Sequence, residues 1–278
     1  MGKQYYPDKD NIKMQTDILK SMRLLEEDKL IPPLDGKFTP YRYFKHNLLI
    51  EPSNDFSYKA VLTYEDFMPI KDTSKVVPYN VPADRSFAIV ELQDLTSERR
   101  ITNLLYDAIY EGIPISDLKI GLEIIALRIL EAIKEGYKNI VLTDIDVLPS
   151  RVSIPLPFVL AFTEKFLKEN NVDMKDISIF VETLEVVNPF EVGTLLSLGS
   201  KGVYIRDLDQ DLVNIINKYV ANLVKKKGFT DVSEFIGSKS VNIVGLKNDF
   251  LSLLNPDLKS SFEVEGLLEI ESYLFSQK

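Results

Sequence analysis

From about residue 86 to 227 the chain alternates short apolar runs with amphipathic stretches, and this rhythm restricts the fold more than any other feature. Gly121–Glu135 places Leu122, Ile125, Ala126, Ile129, Leu130 and Ile133 on one helical face and stops at Gly136. Asn139–Asp144 (NIVLTD) follows, with the uninterrupted apolar pattern of a strand buried on both sides. The alternation continues through helix Pro155–Glu169, strand Ile177–Glu182, helix Pro189–Leu198, strand Gly202–Ile205 and helix Asp209–Lys227. Upstream, Ser86–Leu92 reads as a strand and Ser97–Glu111 as a helix between the N-cap Ser97 and Gly112. The tail, 228–278, reads as short helical pieces. Buried strands alternating with helices predict an α/β fold, as a partial barrel or small parallel sheet of βα units. The units are too few for a complete eight-fold barrel.

The first 85 residues differ in character. Residues 1–30 read as a leader helix. Half of the 14 prolines fall within 31–85, among eight Phe and Tyr residues from Phe38 to Phe67. Proline fixes φ and removes a donor, so long regular elements are not expected. The aromatics argue against a solvated linker. The expectation is an irregular Pro/aromatic-rich arm, and two regions, 1–85 and 86–278.

Composition excludes much chemistry. There is no cysteine and one histidine, His46, so thiol nucleophiles, Cys-bound clusters and multi-His metal sites are ruled out. His46, in YRYFKHN, is expected as a surface or hydrogen-bonded side chain rather than part of a hydrolytic centre. A net charge of −9 gives no general attraction to nucleic acid or to an anionic membrane. No apolar run reaches the roughly 18 residues of a membrane span, and the N-terminus lacks a signal-like apolar region, so the expected compartment is the cytoplasm. The lack of Cys and Trp and the low glycine count, 12, fit a heat-adapted source.

Ligands of parallel α/β folds bind at the carboxyl ends of the strands. The strand ends here carry Asp144 and Asp146, Glu182 and Thr183, and Arg206 and Asp207. One reading lets Asp144, Asp146 and Glu182 hold Mg²⁺ or divide acid–base work between them. The other makes Asp144 and Asp207 strand terminators and helix caps, solvated or paired with Arg151 and Arg206. Leu198–Gly202 (LGSKG) precedes a strand, unlike a phosphate loop, and reads as a helix stop. Lys225–Lys227 opposes the negative end of a helix dipole. No catalytic residue and no cofactor is assigned.

Several stretches resemble the central domain of the glutamate synthase large chain. These are GLEIIALRILEAIKEGYKNIVLTDID (121–146), IPLPFVLAFTEKFL (154–167), ISIFVETLEVVNPFEVGTLLSLGSKGV (177–203), KKGFTDVSEFIGSKSVNIVGL (226–246) and EGLLEI (265–270). Gly228, Gly237, Gly245 and Leu246 align with the family without a gap. Ile145, Ile236, Lys239 and Asn242 stand where the family has Arg, Arg, Gln and Glu. The family's paired histidines are missing, as are its amidotransferase cysteine, iron–sulfur cysteines and flavin site. The resemblance implies a non-catalytic, structural or assembly role in nitrogen metabolism and amino-acid biosynthesis, either as a central subunit of a split glutamate synthase or as a domain that has drifted to another role. Its partners would be amidotransferase or flavin-domain subunits. The alternative is a small metal-dependent enzyme or ligand-binding protein using the strand-end carboxylates. In the family this domain packs between two others. The aromatic arm is therefore expected to dock within the chain or onto a second copy in a homo-oligomer.

Overall fold

The computed structural model describes residues 25–26, 41, 44–46, 48–53, 58–82, 115–145, 151–184, 186, 188–243, 251–254 and 256–258. In chain order the strands are β1 (Leu25–Glu26), β2 (Phe44–Lys45), β3 (Leu49–Ile50), β4 (Val61–Leu62), β5 (Lys75–Pro78), β6 (Asn80–Pro82), β7 (Asn139–Thr143), β8 (Arg151–Ser153), β9 (Ser178–Thr183), β10 (Ser200–Ile205) and β11 (Asn242–Ile243). The helices are α1 (Tyr64–Asp72), α2 (Ile115–Lys134), α3 (Leu156–Glu169), α4 (Pro189–Ser197), α5 (Gln210–Lys226) and α6 (Val232–Phe235).

Five strands form the central sheet in the order β4-β10-β9-β7-β5, and every pairing in it is parallel. From β5 the chain steps back one strand at a time, through α2, α3 and α4, to β10. Then α5 packs beside β4. The winding matches the expected run of βα units. The sheet stays open, with β4 and β5 as its edges.

The pleat sends alternate side chains to opposite faces. Val61, Val77, Ile140, Leu142, Ile179, Val181, Val203 and Ile205 face α2 to α5 and make the main core with them. Leu62, Val141, Phe180 and Tyr204 face the other way, where Phe67 and Ile70 of α1 cover them. Phe67 stacks on Tyr204 with ring centroids 4.5 Å apart.

Local signals explain the helix ends. Asn188 accepts from the Phe190 and Glu191 N–H groups at 2.9 and 3.0 Å, Glu191 reaches back to the Asn188 N–H, and Pro189 opens α4. All nine residues of α4 are buried. Asp209 caps α5 through the Leu212 N–H, and Lys225 and Lys226 occupy its last turn. Gly199 ends the turn after α4 at φ +108, a conformation that suits glycine, so LGSKG is a helix stop as expected.

The region 31–85 holds more regular structure than its prolines suggest. It supplies both edge strands of the sheet, β4 and β5, and the covering helix α1 between them. Thr63 and Asp66 form a capping box at the start of α1, and Lys59 bonds Asp66 at 2.8 Å. The polar amide of Asn217 on α5 secures β4. Its Oδ1 accepts from the Val61 N–H at 2.8 Å and its Nδ2 donates to the Val61 carbonyl at 3.0 Å. Phe44 and Lys45 of β2 pair antiparallel with Ile243 and Asn242 of β11. Within the expected leader helix only Leu25–Glu26 is described, and it is a strand paired with Leu49–Ile50 rather than helix. The expected elements Ser86–Leu92 and Ser97–Glu111 lie outside the described residues.

Candidate functional site

At the carboxyl edge of the central sheet, Asp144 follows β7 and Glu182 lies within β9. Register decides how they are used. Thr143 is the lateral partner of Glu182, so these two share a face, and Asp144, one residue on, belongs to the opposite face beside Thr183.

On the α1 face, Lys71 donates to both oxygens of Glu182 at 2.8 and 2.9 Å, and the Thr143 hydroxyl donates to its Oε2 at 2.9 Å. Lys71 projects from the last turn of α1, and its side chain stays 32% exposed while that of Glu182 is 7% exposed. The ion pair fastens α1 across the strand ends. Tyr204 lies on the same face. Burial, then the charges of Glu182 and Asp207, push its phenol pKa up.

On the other face, Asp144 is fully buried. It is therefore not a solvated strand terminator. The Thr183 hydroxyl donates to its Oδ2 at 2.7 Å and the Leu184 N–H to its Oδ1 at 3.2 Å. Burial raises its pKa to about 6, against hydrogen bonds from Thr183, Tyr79 and Leu184 that favour the charged form. A carboxyl tuned toward neutrality is a familiar acid–base device. With no exposed surface, though, Asp144 offers nothing for a substrate to touch.

Asp144 and Glu182 thus lie on opposite sides of the sheet and do not converge. Asp146, the third residue expected of a metal site, lies outside the described residues. Among the described residues no cluster of three or more His, Asp or Glu side chains could hold a metal ion. Asp207 takes a left-handed conformation, φ +63, in the turn before α5, and the helix cap is Asp209.

His46 is the hydrogen-bonded alternative of the sequence reading, and it sits deep inside, 2% exposed. Its Nε2 lies 3.1 Å from the Thr194 hydroxyl, and its ring stacks on Phe190 at 6.0 Å. Lys227 Nζ donates to the His46 carbonyl at 2.8 Å. Burial, then the Lys227 charge, lower the imidazole pKa to about 3, while backbone hydrogen bonds at Phe190 and Ser240 act the other way. The ring is therefore neutral at physiological pH. Gly193 makes room here: a Cβ at that position would collide with the Leu223 side chain and stand 3.6 Å from His46 Nε2.

Lys71 and Asn217 carry these arrangements, and the sequence reading did not single them out. Asn217 left a signal. It occupies the apolar stripe Val213, Asn217, Val220, Val224 of α5, where a polar residue needs a partner. Lys71 left none, because its partner is 111 residues away.

Residues 237–239 close over the end of α4. The Gly237 N–H donates to the Leu196 carbonyl and the Lys239 N–H to the Ser197 carbonyl, both at 2.9 Å. Gly237 has φ +71, and Lys239 Nζ pairs with Glu164 at 2.8 Å. Among the described residues no helix is long and apolar enough to cross a membrane.

No curated protein matches the chain. The glutamate synthase central domain family matches residues 84–247, which takes in α2 to α6, β7 to β11 and all the strand-end groups except those of β4 and β5. With that match covering more than half of its length, the chain belongs to the glutamate synthase central-domain family.

Proposed function

We propose that this chain is a non-catalytic, glutamate-synthase-type central unit with a structural or assembly role, acting as a subunit of a split glutamate synthase. The observation that carries the reading is the use of the strand-end polar groups. Glu182 is held by Lys71 and Thr143, and Asp144 by Thr183 and the Leu184 N–H. Each is buried and fastens one element to the next. Such groups serve a scaffold, which needs rigidity, better than a site, which needs an accessible group of matched pKa.

The partners in this reading are separate chains bearing an amidotransferase and a flavin domain, with a homo-oligomer of the central unit between them. It works in nitrogen metabolism by holding those chains together. The test is co-purification from the native source, followed by size-exclusion chromatography of the recombinant chain with the recovered partners. Co-elution with amidotransferase and flavin-domain chains, and a rise in glutamine-dependent glutamate formation when the central unit is added, are the expected results. A chain that elutes alone in their presence and leaves their activity unchanged overturns the reading.

A further inference from the structure

His46 and residues 48–53 lie along α5 and are held there through their backbone. Lys227 Nζ donates to the His46 carbonyl at 2.8 Å. The Glu51 N–H donates to Asn222 Oδ1 at 3.2 Å, and the Ser53 N–H to the Lys218 carbonyl at 3.0 Å. Positions 227, 222 and 218 step back along α5 by about one turn each, so this stretch runs antiparallel to the helix.

Its apolar packing is separate from that of the sheet. Ile50 is fully buried with Phe190, Tyr219 and Leu223, and Leu48 and Ile215 pack against them. These residues form a small cluster distinct from the main core. Both flanks belong to the main core: Phe44, edge-on to Phe158 at 5.9 Å, on one side, and Ala60 and Val61 on the other. Among the described residues β3 pairs with β1 and not with the central sheet. A stretch anchored at both flanks, with its own small cluster and few backbone bonds, is the kind of unit that opens locally.

His46 stands at one end of it. From α4 the ring meets Thr194, Phe190 and Gly193, and from the turn before β11 the backbone at Ser240. The charged group set against it is Lys227, at the end of α5. A proton on the ring would put a second positive charge beside Lys227 in a buried place. The closed form therefore holds the neutral ring, and an opened form takes up the proton.

We propose that His46 and residues 48–53 form an acid-released strap, which lifts off α4 and α5 as one unit while the central sheet stays folded, with His46 as its latch. The open form is a minor state at neutral pH, and proton uptake by the freed imidazole raises its population. Lifting uncovers Phe190, Tyr219 and Leu223.

The test is native-state hydrogen exchange on the full-length protein. The amides of Glu51 and Ser53 report on the strap, and those of β7 and β9 on the sheet. At pH 7 the strap amides are expected to be at least about tenfold less protected than the sheet amides and insensitive to low urea, the mark of an opening that exposes little surface. Equal protection with equal urea dependence overturns the proposal, because the strap then opens only with the whole domain. From pH 7 to 5, corrected for intrinsic exchange, the opening constant read at Glu51 and Ser53 should rise roughly 25-fold, given an imidazole that titrates near 6.5 when free and at about 3 when closed in. In His46→Gln that rise is expected to vanish while the strap amides stay less protected than the sheet. A rise that persists in the variant, or is absent from the native protein, overturns the latch. The two measurements on the native protein decide the matter even where the variant does not fold.

Discussion

Acid destabilisation centred on His46 follows directly from its burial. The imidazole titrates near 6.5 in an unfolded chain and at about 3 in the folded one. Between those values the unfolded state binds the extra proton, so stability rises with pH throughout that window. The contribution is complete above pH 6.5 and is lost as pH falls toward 3. At ~1.4 kcal/mol per pH unit the full loss is roughly 5 kcal/mol, comparable to the whole stability of a marginal domain. The perturbation is His46→Gln, which keeps a polar group near Thr194 but cannot titrate. Urea unfolding of both proteins is measured from pH 4 to 7. The stability of the native protein minus that of the variant should climb by ~1.4 kcal/mol per pH unit up to pH 6.5 and then level off. Because His46 is the sole histidine, its ring resonance can be followed by NMR without assignment. It should not move between pH 8 and 5 while the protein is folded. A native resonance that titrates near 6.5, or a flat difference curve, would refute the reasoning.

Four further outcomes follow. Asp144 acts with the opposite sign: its folded pKa is raised from 3.8 to about 6. Its contribution is therefore present below 3.8 and lost as pH rises through 6, and native minus Asp144→Asn stability should fall by ~1.4 kcal/mol per pH unit across that window in urea titrations. Asn217→Leu leaves both backbone groups of Val61 without their amide partner and should destabilise by about 2–4 kcal/mol, read as a lower urea midpoint with an unchanged slope. Lys71→Met strands Glu182 beside Thr143 and should destabilise by about 1–2 kcal/mol, a figure reduced because Lys71 is a third exposed; the double variant with Glu182→Gln should recover part of the loss in a double-mutant cycle. Deleting residues 1–85 removes β4, β5 and α1, so circular dichroism and exchange should report an unfolded sheet.

The sequence by itself determined the elements whose signals are local. Strand β7 and helices α3, α4 and α5 lie within one or two residues of where apolar period, Pro189, Asp209, Gly136 and Gly199 put them. A cap or a helical stripe acts over one or two turns, so it can be read without the rest of the chain. The winding of βα units and the family resemblance were legible for the same reason. The start of α2 was not: it begins at Ile115, before the Gly121 where the reading opened it.

Only tertiary structure decided the sheet edges and the fate of the strand-end acids. Val61–Leu62 and Lys75–Pro78 are too short to show a period, and they become strands because β10 and β7 present unpaired backbone to them. Asp144 and Glu182 look alike in the sequence, each at the end of an apolar run. Register places them on opposite faces, one among Thr183, Leu184 and Tyr79, the other against Lys71. The burial of His46 likewise depends on Phe190, Thr194 and Lys227, which lie more than 140 residues away. A charge or an imidazole takes its properties from the side chains packed around it, and those neighbours are chosen by the folded chain as a whole.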